Sequence, residues 1–104
     1  MKKIIDGLRY DTEKAVEIGS YDTGLGNRDF RNWSATLYRT PRSNRYFLAG
    51  SGGPMTRFAR SVGNMSSGGD GLFPMTAQEA LEWAEQYLDA DAIEQHFGDA
   101  IQDA

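Results

Sequence analysis

The sequence predicts an α+β fold: a small antiparallel sheet built from hairpins, with a C-terminal amphipathic helix and a second short helix packed on it. Three observations carry this expectation. The run WSATLYRT, beginning at Trp33, alternates Trp33, Ala35 and Leu37 with Ser34, Thr36 and Tyr38, the period of two of a half-buried strand. RYFLAG answers it across PRSN, a loop of turn-forming residues. From Thr76 onward, Ala80, Leu81, Trp83, Ala84, Tyr87 and Leu88 gather on one side of a helix turning about 100° per residue, and Thr76-Ala-Gln-Glu79 spells a capping box. Hairpins followed by amphipathic helices imply an antiparallel sheet with the helices laid across it.

Each element can be justified in chain order. KKIIDGLRYD reads as a small hairpin, because Asp6-Gly7 tolerates the positive φ of a two-residue type I′ turn. TEKAVEIG predicts a short helix capped by Asp11 or Thr12, with Ala15 and Ile18 on its apolar face and Gly19 as a stop. SYDTGLGNRDF has the Gly, Asn and Asp density of a loop. After the Trp33 hairpin, GSGGPMTRFARSVGNMSSGGDG holds most of the glycines but no Lys, so it lacks the Lys–Ser/Thr pair of a phosphate-cradling loop. It reads instead as a connection around a helical turn at MTRFARSV. GLFPMT predicts a last strand, with Pro74 placing it at an edge or a strand end. Beyond the Thr76 helix, Asp91-Ala-Ile-Glu94 repeats the capping logic. Ile93, Phe97 and Ile101 form the next apolar stripe, and Gly98 is a natural stop.

A chain of 104 residues is expected to form a single domain, spanning residues 1–104. Five Phe, five Tyr and two Trp stand against only two Val, so aromatic rings must fill much of the core. The absence of Cys excludes disulfides, thiolate chemistry and Cys-based zinc sites. No apolar run approaches the roughly 18 residues of a membrane span, and Lys2-Lys3 precedes only two apolar residues, too few for a signal peptide. A cytoplasmic protein with no membrane partner is the expectation.

Catalytic chemistry finds little footing. His96 is the single histidine, and no strained G-x-S-x-G nucleophile turn occurs. Acid–base work needs carboxylates in unequal environments, whereas Glu82, Glu85 and Asp89 look equally solvated. DADAIE lacks the glycine and the terminal Glu of a calcium loop. The expectation is therefore a protein that is not an enzyme, with no catalytic residue, no cofactor and no metal.

Charge is the informative feature. Residues 1–75 carry eleven basic and seven acidic side chains, whereas residues 76–104 carry eight acidic and none basic. Glu82, Glu85 and Asp89 fall within about 60° of one another, opposite the apolar side of the helix. Like charges at these spacings repel by a few tenths of a kcal/mol per pair, and no Lys relieves them. The helix dipole accounts for Glu79 and Asp91 in their first turns but not for the others. Along the axis the outward carboxylates lie about 4.5 and 6 Å apart, a spacing comparable to the phosphates of a nucleic-acid strand. Glu79, Glu82, Glu85, Asp89, Asp91 and Glu94 are accordingly the candidate partner-binding residues, forming a surface that competes with nucleic acid for a basic groove on another protein. The plain alternative is a solvated acidic face. A second alternative is direct nucleic-acid binding by the segment Arg28–Arg60, whose seven arginines are interspersed with Phe30, Trp33, Tyr38, Tyr46 and Phe58. Against it stands the acidic isoelectric point, near 4.8. An antitoxin-like interaction module is a third.

KKIIDGLRYDTEKA, LYRT, YFLAGSGGPMT and EALEWAEQYLDADAIEQHFGD together resemble a set of small proteins of phages and mobile elements, among them anti-CRISPR inhibitors of type I-C systems. The likeness is one of general pattern over most of the chain and includes no catalytic signature. It implies a stoichiometric inhibitor, monomeric, acting in the host bacterial cytosol. Its partner would be one or more protein subunits of a type I CRISPR surveillance complex, kept from target DNA without direct contact to nucleic acid.

Overall fold

The computed structural model describes residues 1–26 and 28–104. The fold is α+β, with antiparallel hairpins followed by two C-terminal helices packed on a four-stranded sheet. The first hairpin pairs β1 (Lys2–Ile5) with β2 (Leu8–Asp11). Asp6 and Gly7 sit at φ 52° and 78°, the two positive values a type I′ turn demands.

The main sheet runs in the order β3 (Val16–Asp22), β4 (Trp33–Arg39), β5 (Tyr46–Gly52) and β8 (Gly69–Met75), antiparallel throughout. β4 and β5 pair without a break from Trp33–Gly52 to Arg39–Tyr46, as the alternation in the sequence requires. Their turn is closed by hydrogen bonds from the Thr40 amide to the Arg45 carbonyl at 2.8 Å and from the Arg45 amide to Thr40 Oγ1 at 2.9 Å. Pro74 lies on β8, an edge strand, where its missing amide costs no ladder bond.

Three expectations ahead of the helices are corrected. TEKAVEIG is not a helix. Asp11 nucleates a single turn, accepting from the Glu13, Lys14 and Ala15 amides, and the chain then enters β3 at Val16. A two-turn helix has little stability of its own, whereas six residues of β3 find partners along the free edge of β4. A register shift between Glu17 and Gly19 turns Ile18 into the core. Ser20–Asp22, expected in a loop, completes this strand, and the part of that loop at Asn27 lies outside the described residues. The helical turn expected at MTRFARSV is instead a pair of tight turns over Gly53–Ala59. They lead into a small hairpin, β6 (Arg60–Val62) with β7 (Met65–Ser67), turning at Gly63, φ 61°.

Thr76 caps the first helix, α1 (Ala77–Tyr87), with both arms of the capping box in place. Leu88 adopts an extended conformation and drops its side chain onto Gly19, where an added Cβ would stand 2.8 Å from the Leu88 methyls. The second helix, α2 (Ala90–Phe97), begins at Asp89 rather than at Asp91, because the Asp89 carboxylate takes the Ala92 amide at 2.9 Å. Gly98 follows it and opens a short 3-10 turn, Gly98–Ala100.

Two cores result from the alternation along β5. Leu48 points to the helices, joining Ile18, Ala35, Leu37, Phe58, Ala80, Trp83, Ala84 and Phe97. Phe47 and Ala49 point the other way, where Tyr10 of the first hairpin closes over them with Leu72. Leu37, Phe47 and Leu48 are completely buried, each stabilising the fold by about 1.5–3 kcal/mol relative to exposure.

Candidate functional site

The burial of Ala80, Trp83 and Ala84 sets which side of α1 faces solvent, and it leaves Glu82 and Glu85 exposed on the outer side. Among the described residues Glu85 makes no side-chain hydrogen bond or ion pair, while Glu82 accepts from Gln78 Nε2 at 3.0 Å. On α2, Asp91 and Glu94 are exposed and unengaged in the same sense. A groove between the start of α1 and the end of α2 is lined by Gln78, Leu81 and Glu94 together with Arg39.

Glu79 and Asp89 are different. Glu79 Oε1 accepts from the Thr76 amide at 2.9 Å while its own amide donates to Thr76 Oγ1 at 3.1 Å. These bonds, the Thr76 backbone amide first, hold the Glu79 carboxyl below its ordinary range, with a smaller attraction from Arg57. Asp89 caps α2 and lies beyond the last residue of α1, so the helical angle that grouped it with Glu82 and Glu85 does not apply. The two capping acids sit at opposite ends of α1. Four of the six candidates therefore remain outside the caps: Glu82, Glu85, Asp91 and Glu94, of which Asp91 stands in the first turn of α2, where the helix dipole favours it.

Ion pairing sharpens the contrast. Among the described residues two ion pairs occur, Arg31–Asp29 at 3.2 Å and Arg60–Asp70 at 2.9 Å, and neither involves a carboxylate of residues 76–104. The arginine segment is dispersed by the same geometry. Arg57 lies over the Phe73 ring at 4.4 Å, and the Nε of Arg39 is buried without a hydrogen-bond partner. Of the interleaved aromatics, Phe58 is buried, Tyr38 stacks on Phe47 and Tyr46 on Phe97. Trp33 packs with Tyr21 and edge-on against Tyr87. Phe30, 62% exposed, is the one ring of that set standing free. The alternation that suggested a stacking platform serves the core instead.

His96 is partly buried in the groove that also holds Arg39, Tyr46 and Gln95; burial, and then the Arg39 charge, lower its pKa. Among the described residues no Ser or Thr hydroxyl lines that groove. Among the described residues no group of three or more His, Asp or Glu side chains is arranged to hold a metal ion, and no helix is long and apolar enough to cross a membrane.

No family model matches the chain, and no curated protein or solved structure does.

One grouping escaped the sequence altogether. Arg9 and Lys14, from the first hairpin and the turn after it, meet Arg42 and Arg45 of the β4–β5 turn around one groove. The Asp6-Gly7 hairpin and the PRSN turn were legible in the sequence, whereas the turn that carries Lys14 was read as a helix. Their meeting depends on Tyr10 packing edge-on against Phe47, ring centroids 5.4 Å apart, which decides the face the hairpin covers.

Proposed function

We propose that the protein is a non-enzymatic inhibitor that binds a basic groove on a partner protein through the outer face of α1 and α2, occupying the place of a nucleic acid. The observation that carries this reading is the unrelieved charge: Glu82, Glu85, Asp91 and Glu94 are exposed, and among the described residues none is paired with a cation. Charge arranged without counter-ions costs the fold stability and is recovered on meeting a surface of opposite sign. The resemblance to phage and mobile-element proteins makes the DNA path of a type I-C CRISPR surveillance complex the first partner to test. In that reading the protein acts as a monomer in the bacterial cytosol, and Trp83, Tyr87, Leu88 and Phe97 hold the helices in place.

A gel-shift titration tests it. The purified surveillance complex and its labelled target duplex are mixed with increasing amounts of the protein. The expected result is loss of the shifted band near one equivalent per complex, and retention of the band with Glu82→Lys/Glu85→Lys/Glu94→Lys. These three positions avoid both capping acids, so the triple variant keeps its fold by circular dichroism. An unchanged shift with the native protein sinks DNA competition; full inhibition by the triple variant sinks the acidic face. Association should also slow with added salt, since exposed charges are screened beyond about 8–10 Å at physiological ionic strength.

A further inference from the structure

The groove between the first hairpin and the β4–β5 turn carries a separate site. It encloses about 440 Å³, within the range of roughly 300–1,000 Å³ typical of small-ligand sites. Arg9, Lys14, Arg42 and Arg45 line it from two directions, and all four are exposed. None makes an ion pair among the described residues. Among the described residues Asp11 is the one acid on the groove, and its Oδ1 accepts the Glu13 amide at 3.0 Å.

The two arginines stand on a rigid support. The Arg45 amide and the Ser43 hydroxyl both bond Thr40 Oγ1, at 2.9 Å each, and Asn44 holds the left-handed conformation, φ 52°, that the tight turn needs. Side chains presented from a fixed backbone lose less freedom when they close on a ligand. Arginine forks match phosphate oxygens two at a time, and several cations around one concavity focus the field within it. The remaining lining, Leu8, Ala15 and Pro41, offers an apolar wall to the organic part of a ligand.

We infer that this groove binds a compact phosphorylated ligand of nucleotide size, through two or more of its phosphate groups. A long nucleic-acid strand fits less well. The cations gather around one groove instead of forming a track along the surface. The groove is built on the face of the sheet that Tyr10 and Phe47 cover, not the face that carries the helices. The site is thus independent of the acidic face, and either reading can fail without the other.

Isothermal titration of the full chain with pyrophosphate, ADP and a short oligothymidine tests the inference. The expected result is saturable one-to-one binding of pyrophosphate and ADP with Kd below about 1 mM at moderate salt. Arg42→Gln/Arg45→Gln should weaken it by at least about tenfold, the loss of charge-assisted bonds to phosphate. Arg9→Gln/Lys14→Gln, on the opposite wall, should do the same, whereas Arg57→Gln, on the helix side, should leave affinity unchanged. Absence of binding to both small anions overturns the site. So does equal affinity in both double variants, and so does saturable binding of the oligothymidine alone, which assigns the groove to a strand.

Discussion

Removing the Asp89 carboxylate separates an acid that builds the fold from acids that are free to bind. By spacing, Asp89 joins Glu82 and Glu85; in the structure it takes the Ala92 amide at 2.9 Å and starts α2. Asp89→Ala deletes that acceptor, and loss of an N-cap costs about 1 kcal/mol, within a range of 0.5–2. Loss of a negative charge at a helix N-terminus adds about 0.3–1 kcal/mol. With about 2.1 cal/mol/K of unfolding entropy per residue and 104 residues, each kcal/mol moves Tm by about 4–5 °C. Asp89→Ala should therefore lower Tm by about 5–9 °C. Asp89→Asn keeps a side-chain acceptor and should lose less than half of that, while Glu85→Ala should stay within about 2 °C of the native protein. Thermal unfolding followed by far-ultraviolet circular dichroism reads all three. A native-like Tm for Asp89→Ala, or an equal loss for Glu85→Ala, would refute the division of the acids and return Asp89 to the binding face.

Three further outcomes follow from the packing and the charges. Gly50→Ala drives a Cβ into the carbonyl of Ser34 and to 2.7 Å from Ala35 Cα, both backbone atoms of the neighbouring strand; overpacking of about 1–3 kcal/mol or more should lower the urea midpoint or abolish folding. Leu37→Ala, at a fully buried position in the core that holds Trp83 and Phe97, should cost about 2–5 kcal/mol in the same titration. Stability should fall on acidification in two windows. His96 is held neutral by burial and Arg39, so the unfolded chain takes up its proton first and stability declines as pH drops below 6.5. Glu79 has a depressed pKa, so its contribution is present above 4.5 and lost as pH falls below that value. His96→Gln should flatten the first slope of the urea midpoint against pH, and Glu79→Gln the second.

The elements legible in the sequence were those specified by neighbours in the chain. Asp6-Gly7 dictated a primed turn, the alternation from Trp33 a strand, and Thr76 with Glu79 a cap, because each signal is written within a few consecutive residues. Val16–Asp22 was misread for the converse reason. A capping Asp and an i, i+3 apolar pair describe a short helix locally, but the open edge of β4, distant in sequence, offered a full ladder. The candidate site divides along the same line. The exposure of Glu82 and Glu85 follows from helix periodicity, while the diversion of Asp89 into a cap follows from where Leu88 leaves α1 to cover Gly19.

By itself, then, the sequence determined the α+β class, the hairpins at Asp6 and Trp33, the capped C-terminal helix and the partition of charge between residues 1–75 and 76–104. The tertiary structure decided which carboxylates are spoken for, which aromatics are core, and that Arg9 and Lys14 stand across a groove from Arg42 and Arg45. The physical reason is range. Turns, caps and periodicity are settled within a few residues of the chain, whereas the juxtaposition of charges depends on which face of the sheet each hairpin and helix buries.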